Sequence, residues 1–297
     1  MNATELLRAD DQALPRRGAL PVADGRALRT YVWTDAHAET NARPVVVLAH
    51  GYGEYCGRYD ELARYLLARG WAVCGFDMHG HGESPGQRGG IESYDQYVDD
   101  LSAFLKSTRE RYPGRAQLLL GHSHGGLIAL RFLQQNGHWP DGLILSSPMV
   151  ALRRAHRPLP PWAACVLAKL AGELSLPNGL SANELTHDHR LARAWSVDVH
   201  NHGRTTPRWY AGALDAMEQA RLALEQVTLP VLILQGDHDP VVDPDAVAQM
   251  TRDLGSRDRE LFVCHGALHE PLNELDREQV YARIERWIAL HFDNAST

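Results

Sequence analysis

The chain has 297 residues, 44% of them hydrophobic and 23% charged, the balance of a globular protein able to bury one large core. A formal charge of −7 with no basic block excludes a nucleic-acid partner gripped through its phosphates. The opening MNATELLRADDQALPRRG holds no apolar run of signal-peptide or membrane-spanning length. Four scattered cysteines, Cys56, Cys74, Cys165 and Cys264, include no CxxC pair, so no disulfide framework is expected and a reducing cytoplasm is the simplest location.

In chain order, Ala27–Trp33 alternates apolar and polar side chains and reads as an antiparallel edge strand. Pro44–His50, Trp71–Asp77, Gln117–Ser123, Gly142–Pro148, Pro230–Asp237 and Leu261–Gly266 are short apolar runs. Most lack polar alternation, as expected of strands covered on both faces of a parallel sheet. Helical spacing fills the gaps at Tyr59–Arg69, Gly125–Asn136, Pro244–Leu254 and Asp276–Phe292. It also links Tyr94, Tyr97, Val98, Leu101, Phe104 and Leu105, with Ser93 as N-cap. Strands alternating with helices predict an α/β fold built on a doubly wound, mostly parallel sheet. From about Ala151 to Thr228 no strand is expected, and the span is too long for an ordinary connection. It reads as a helical cap of residues 151–228 inserted between core segments 1–150 and 229–297.

Gly121-His122-Ser123-His124-Gly125-Gly126 follows an apolar strand and opens a helix. A serine in G-x-S-x-G in that setting sits on a sharp strand-to-helix turn, with its hydroxyl exposed at the carboxyl end of the sheet. Glycines permit the close backbone approach, and the helix N-terminus offers N–H groups to a developing oxyanion. A serine hydroxyl needs a histidine to take its proton, itself oriented by a carboxylate, in the chain order Ser, acid, His. Gln235-Gly236-Asp237-His238-Asp239-Pro240 offers two acids after one strand. Asp239 is favoured because Asp237 lies nearer the strand and can brace the turn. His265-Gly266-Ala267-Leu268-His269 offers two bases after the last strand, His269 lying further out on the loop and His265 being the alternative. The N–H groups of Tyr52, in His50-Gly51-Tyr52-Gly53-Glu54, and of His124 are the expected oxyanion donors.

Across His50–Ser84, Gly121–Gly126, Gln235–Asp243 and His265–Glu270 the sequence resembles the monoacylglycerol lipase and lysophospholipase branch of the α/β-hydrolases. The HGxGE run followed by Arg58-Tyr59 is the most specific of these matches. The resemblance implies a catalytic triad of Ser123, Asp239 and His269, no cofactor, and a single-chain lipid ester as substrate. It also implies that Glu54 and Arg58 pair to order the oxyanion loop and border the polar head of that substrate. His124 departs from the methionine common at this position; its imidazole, at a helix N-terminus, is expected to be neutral.

Trp162, Val166, Leu167 and Leu170 fall on one face of a cap helix, suited to lining an acyl channel or to transient contact with a micelle or membrane. Four H-x-H pairs, His79/His81, His122/His124, His187/His189 and His200/His202, lack the further ligands of a closed metal site, and no metal is expected. Cys56 lies in the oxyanion loop, where a bulky thiol adduct would block catalysis unless the thiol is buried. A peptidase on the same core would need an acidic lining for a free α-amine, and no such cluster is identifiable from the sequence. The same core also suits a short-chain esterase or thioesterase, or a non-catalytic ligand receptor.

Overall fold

A computed structural model describes residues 15–23, 25–137 and 139–293; positions 1–14 of the opening stretch lie outside them. The strands are β1 (Arg16–Pro21), β2 (Ala27–Trp33), β3 (Val45–Ala49), β4 (Ala72–Phe76), β5 (Gln117–His122), β6 (Gly142–Ser146), β7 (Leu176–Pro177), β8 (Arg204–Thr205), β9 (Val231–Gly236) and β10 (Arg259–Cys264). Eight of them form one sheet in the order β1-β2-β4-β3-β5-β6-β9-β10. Pairing is antiparallel at β1–β2 and β2–β4 and parallel from β4 onward.

The apolar runs become strands because both of their faces are covered: β3, β4, β5, β6 and β9 are buried at every position. One expectation changes. β2 is not the edge, since β1 pairs along its whole length from Arg16 opposite Val32 to Pro21 opposite Ala27. The sequence RRGALP has no alternation of its own to announce a strand; the neighbouring strand's ladder supplies its order.

The helices are α1 (Ala36–Thr40), α2 (Asp60–Leu67), α3 (Asp95–Arg111), α4 (His124–Asn136), α5 (Pro161–Ala171), α6 (His189–Val197), α7 (Pro207–Leu222), α8 (Pro244–Asp253) and α9 (Arg277–Phe292). In α3, Tyr97, Val98, Leu101, Phe104 and Leu105 face the core as their spacing implies. Its N-cap position is Tyr94 rather than Ser93, although the Ser93 hydroxyl accepts from the Asp95 N–H at 3.3 Å. Segment 151–228 carries α5, α6 and α7, with α5 packed on α7. It also holds β7 and β8, a two-residue antiparallel ladder too short to leave a periodicity in the sequence. No helix among the described residues is long and apolar enough to cross a membrane.

Parallel pairing brings the carboxyl ends of β3, β5, β9 and β10 to one rim, with Ala49 opposite Gly121 and Cys264 opposite Gly236. The loops after these four strands carry every residue expected to serve as acid, base, nucleophile or oxyanion donor.

Candidate active site

Ser123 sits between β5 and α4 with φ 49° and ψ −113°, a conformation costly for a residue with a side chain, by about 1–3 kcal/mol. Three backbone bonds hold it there. Its N–H donates to Ser146 O at 2.8 Å, and its carbonyl accepts from Met149 N–H at 2.9 Å and Leu127 N–H at 3.1 Å. The turn can be this tight only with glycine beside it: a Cβ on Gly125 would lie 2.1 Å from the Ala49 carbonyl oxygen.

His269 reaches Ser123 from the loop after β10, its Nε2 2.9 Å from Oγ, while its Nδ1 lies 2.9 Å from Asp239 Oδ2. A carboxylate only accepts, so Nδ1 carries the imidazole proton and Nε2 is left to accept from the hydroxyl. Asp239 is fixed in turn, Oδ1 accepting from Val241 N–H at 2.8 Å and Val242 N–H at 2.9 Å. Burial works against ionisation of Asp239, yet the nearby imidazole and these amides hold its carboxyl below the usual range. Burial likewise disfavours a charged His269, but the Asp239 carboxylate, with Glu270 and Glu54 adding to it, raises its pKa above 6.5. Asp237 and His265, the second acid and second base on the same two loops, pair with each other at 2.9 Å near the exposed rim.

Around the loop after β3 the chain builds a buried group of three charges. Glu54 Oε1 accepts from Gly51 N–H at 2.6 Å and from the Tyr59 hydroxyl at 2.7 Å, and Oε2 pairs with Arg58. Arg58 also makes a two-pronged pair with Glu270, 2.7 Å on each side, and Asn273 Nδ2 donates to Glu270 at 2.7 Å. Burial would raise the Glu270 pKa, but Arg58 overrides it and holds the carboxyl at about 2. His50 braces the same loop: its Nε2 accepts from Met78 N–H at 2.9 Å, which leaves Nδ1 to donate to Gly51 O at 2.7 Å. Tyr52 lies in this loop between two glycines, and the His124 N–H is the first of α4, a donor that a helix leaves without an intrahelical acceptor.

These groups open on a cavity of about 280 Å³. Glu54, His122, Ser123, His269 and Glu270 line it together with apolar side chains from segment 151–228, among them Leu159, Leu167, Leu180 and Tyr210. A family model described as serine aminopeptidase S33 matches residues 40–276. The chain belongs to that family. It is 31% identical to a monoacylglycerol lipase of Mycolicibacterium smegmatis over 88% of this chain and 92% of the relative. It is also 31% identical to the human monoglyceride lipase, over 93% and 91% of the two chains. A solved Paleococcus ferrophilus monoacylglycerol lipase superposes with a TM-score of 0.80 at 28% identity, over 89% of this chain and 99% of that one. The chain is thus a hydrolase with the α/β-hydrolase fold.

Several details of this S33-family hydrolase differ from the sequence expectations. Arg58 does not line the cavity; it stands behind Glu54 and Glu270, which do. Glu270 is not predictable from local sequence, because its partner lies 212 positions away and only its place beside His269 points to it. With it the acidic lining unseen in the sequence exists, although Arg58 offsets one of the two charges. Cys56 is fully buried against Gly75 and its thiol is pushed well up by burial, which removes it as a reactive site. Among the described residues the four cysteines are free. The His124 imidazole is buried, burial pushes its pKa well below 6.5, and neither ring nitrogen has a hydrogen-bond partner among the described residues. Five rings surround it, those of Tyr52, His81, Tyr94, Tyr97 and Trp209.

Proposed function

We propose that this hydrolase cleaves carboxylic esters of single-chain lipids, monoacylglycerols foremost, through an acyl-enzyme on Ser123. The observation that carries the reading is the hydrogen-bonded line Ser123–His269–Asp239, at 2.9 Å per step, opening on an apolar cavity. Ser123 Oγ bonds to the ester carbon as its proton passes to His269 Nε2, and the carbonyl π pair moves onto oxygen, facing the Tyr52 and His124 N–H groups. When the intermediate collapses, the alcohol departs with the proton from His269. Water then attacks with the same imidazole as base, releasing the fatty acid and restoring the serine. Asp239 keeps His269 in the productive tautomer and stabilises its charged form.

The polar end of the cavity supports the choice of head group. Glu54 and Glu270 each already accept three hydrogen bonds, leaving about one lone-pair site apiece of the roughly four on a carboxylate. Two spare acceptors suit the hydroxyls of glycerol. The net negative charge of Glu54, Arg58 and Glu270 disfavours an anionic phosphate there, so monoacylglycerol is preferred to lysophospholipid. Segment 151–228 acts as the cap over the acyl chain, and α5 is its side toward a lipid surface. The free cysteines fit a reducing cytoplasm as the place of action.

A peptidase is the second reading, favoured by the same two carboxylates, which an α-ammonium group could approach. One panel separates the readings: monoacylglycerols, p-nitrophenyl esters of graded length and amino-acid naphthylamides, alongside fluorophosphonate labelling. Labelling lost in Ser123→Ala and turnover of long-chain monoacylglycerols are expected. Naphthylamide turnover alone would select the peptidase, acetyl and butyryl esters alone a short-chain esterase, and absence of labelling a receptor.

A further inference from the structure

We propose that Trp209 is a positioning residue for the oxyanion donors, holding Tyr52 and His124 at one spacing from the cap side. The inference rests on the assignment of those two N–H groups as the donors. Tyr52 lies in the loop after β3 and His124 opens α4, yet their side chains meet on the same indole. The Tyr52 ring stacks on Trp209 with centroids 3.7 Å apart at 29°, and the His124 ring meets it at 5.4 Å and 64°. The two rings also touch each other edge-on, 5.6 Å apart at 88°.

Local structure leaves a place for such a clamp. Tyr52 is flanked by Gly51 and Gly53, the latter at φ 76°; His50 orients the peptide that carries its N–H by donating to Gly51 O at 2.7 Å, and the distance of that peptide from α4 is left to the packing of the Tyr52 ring. On its carbonyl side the cap tethers the loop through His202 N–H, which donates to Gly53 O at 2.8 Å, next to the core anchorage of Glu54. The Tyr52 hydroxyl donates to Arg204 O, again in the cap, at 2.9 Å. Among the described residues the His124 ring nitrogens have no hydrogen-bond partner, and the surrounding rings hold it by packing. Trp209 is itself anchored: its backbone N–H donates to Thr206 Oγ1 at 3.2 Å, and that hydroxyl donates to Gly89 O at 3.0 Å, joining α7 to the core. A donor is most effective at 2.7–3.1 Å from the developing oxyanion. Slack in either donor therefore weakens the transition state more than the bound ester.

The test uses Trp209→Leu and Trp209→Phe with a short p-nitrophenyl ester, which reaches little of the acyl cavity, and an alkyl trifluoromethyl ketone, whose adduct carries an oxyanion. Trp209→Leu is expected to lower kcat about 10-fold or more with KM changed less than about 3-fold. It should weaken the ketone by the same factor, and Trp209→Phe should restore most of the loss. If Trp209→Leu does not melt cooperatively, Tyr52→Leu, which keeps the N–H and removes the ring, is expected to show the same signature. In the doubly substituted protein the two losses should not add. A raised KM with unchanged kcat, or strictly additive losses, would reduce Trp209 to a cavity wall and overturn the inference. Failure of the native protein to label at Ser123 would remove the catalytic reading and the inference together, whereas labelling with intact kcat in the variants removes the inference alone.

Discussion

At the scale of residues, the proposed relay predicts separate effects for its members. Asp239→Asn should cut kcat by roughly 10⁴ through loss of the productive tautomer. His269 must be neutral to accept the serine proton, and its pKa is raised by negative neighbours. The acid limb of kcat/KM should therefore lie above 6.5, with activity falling as pH drops through it. Removing one negative neighbour lowers that pKa, so Glu270→Gln is expected to move the limb to lower pH. An unmoved limb would show that the Glu270 charge does not reach the base. The serine was legible because an elbow imposes small residues at fixed offsets. Spacing favoured Asp239 over Asp237 only weakly, since both lie within two residues on the same loop. The structure distinguishes them by burial: Asp239 is enclosed with His269, and Asp237 stays at the rim with His265.

At the scale of elements, the buried strands announced themselves because covering on both faces forces uninterrupted apolar runs. β1, β7 and β8 did not, because their order comes from partners rather than from their own side chains. Helix α5 was half legible. Leu167 turns into the cavity, whereas Trp162 and Leu170 stand 73% and 80% exposed on the outer side with Val166 between them. A stripe of large apolar side chains in water marks a surface that meets a partner, and the proposed lipid substrate makes a micelle or membrane the partner to test. Trp162→Lys should therefore lower activity on micellar long-chain monoacylglycerol several-fold and leave hydrolysis of a dissolved short ester unchanged. Equal activities on both substrates in that variant would remove the interfacial role.

At the scale of the whole molecule, stability should carry the imprint of the buried carboxylates. The Glu270 pKa falls from 4.5 to about 2 on folding, and that of Asp239 is lowered as well. A depressed folded pKa contributes stability that is complete above the unfolded value and disappears as pH falls through the folded one. The urea midpoint should accordingly decline between about pH 4.5 and about pH 2, and decline less steeply in Glu270→Gln. His269 acts in the opposite sense: its raised pKa contributes stability below pH 6.5 that is lost as pH rises through the higher folded value.

The link between Arg58 and Glu270 also sets a timetable for biosynthesis. The two are 212 residues apart, which at about 5–20 residues per second separates their emergence from the ribosome by roughly 10–40 s. Throughout that interval the guanidinium lacks Glu270, and for most of it the sheet lacks its final strand, β10. A stalled nascent chain ending before residue 270 should thus hold its first half open to protease, and protection should arrive only with the last loops.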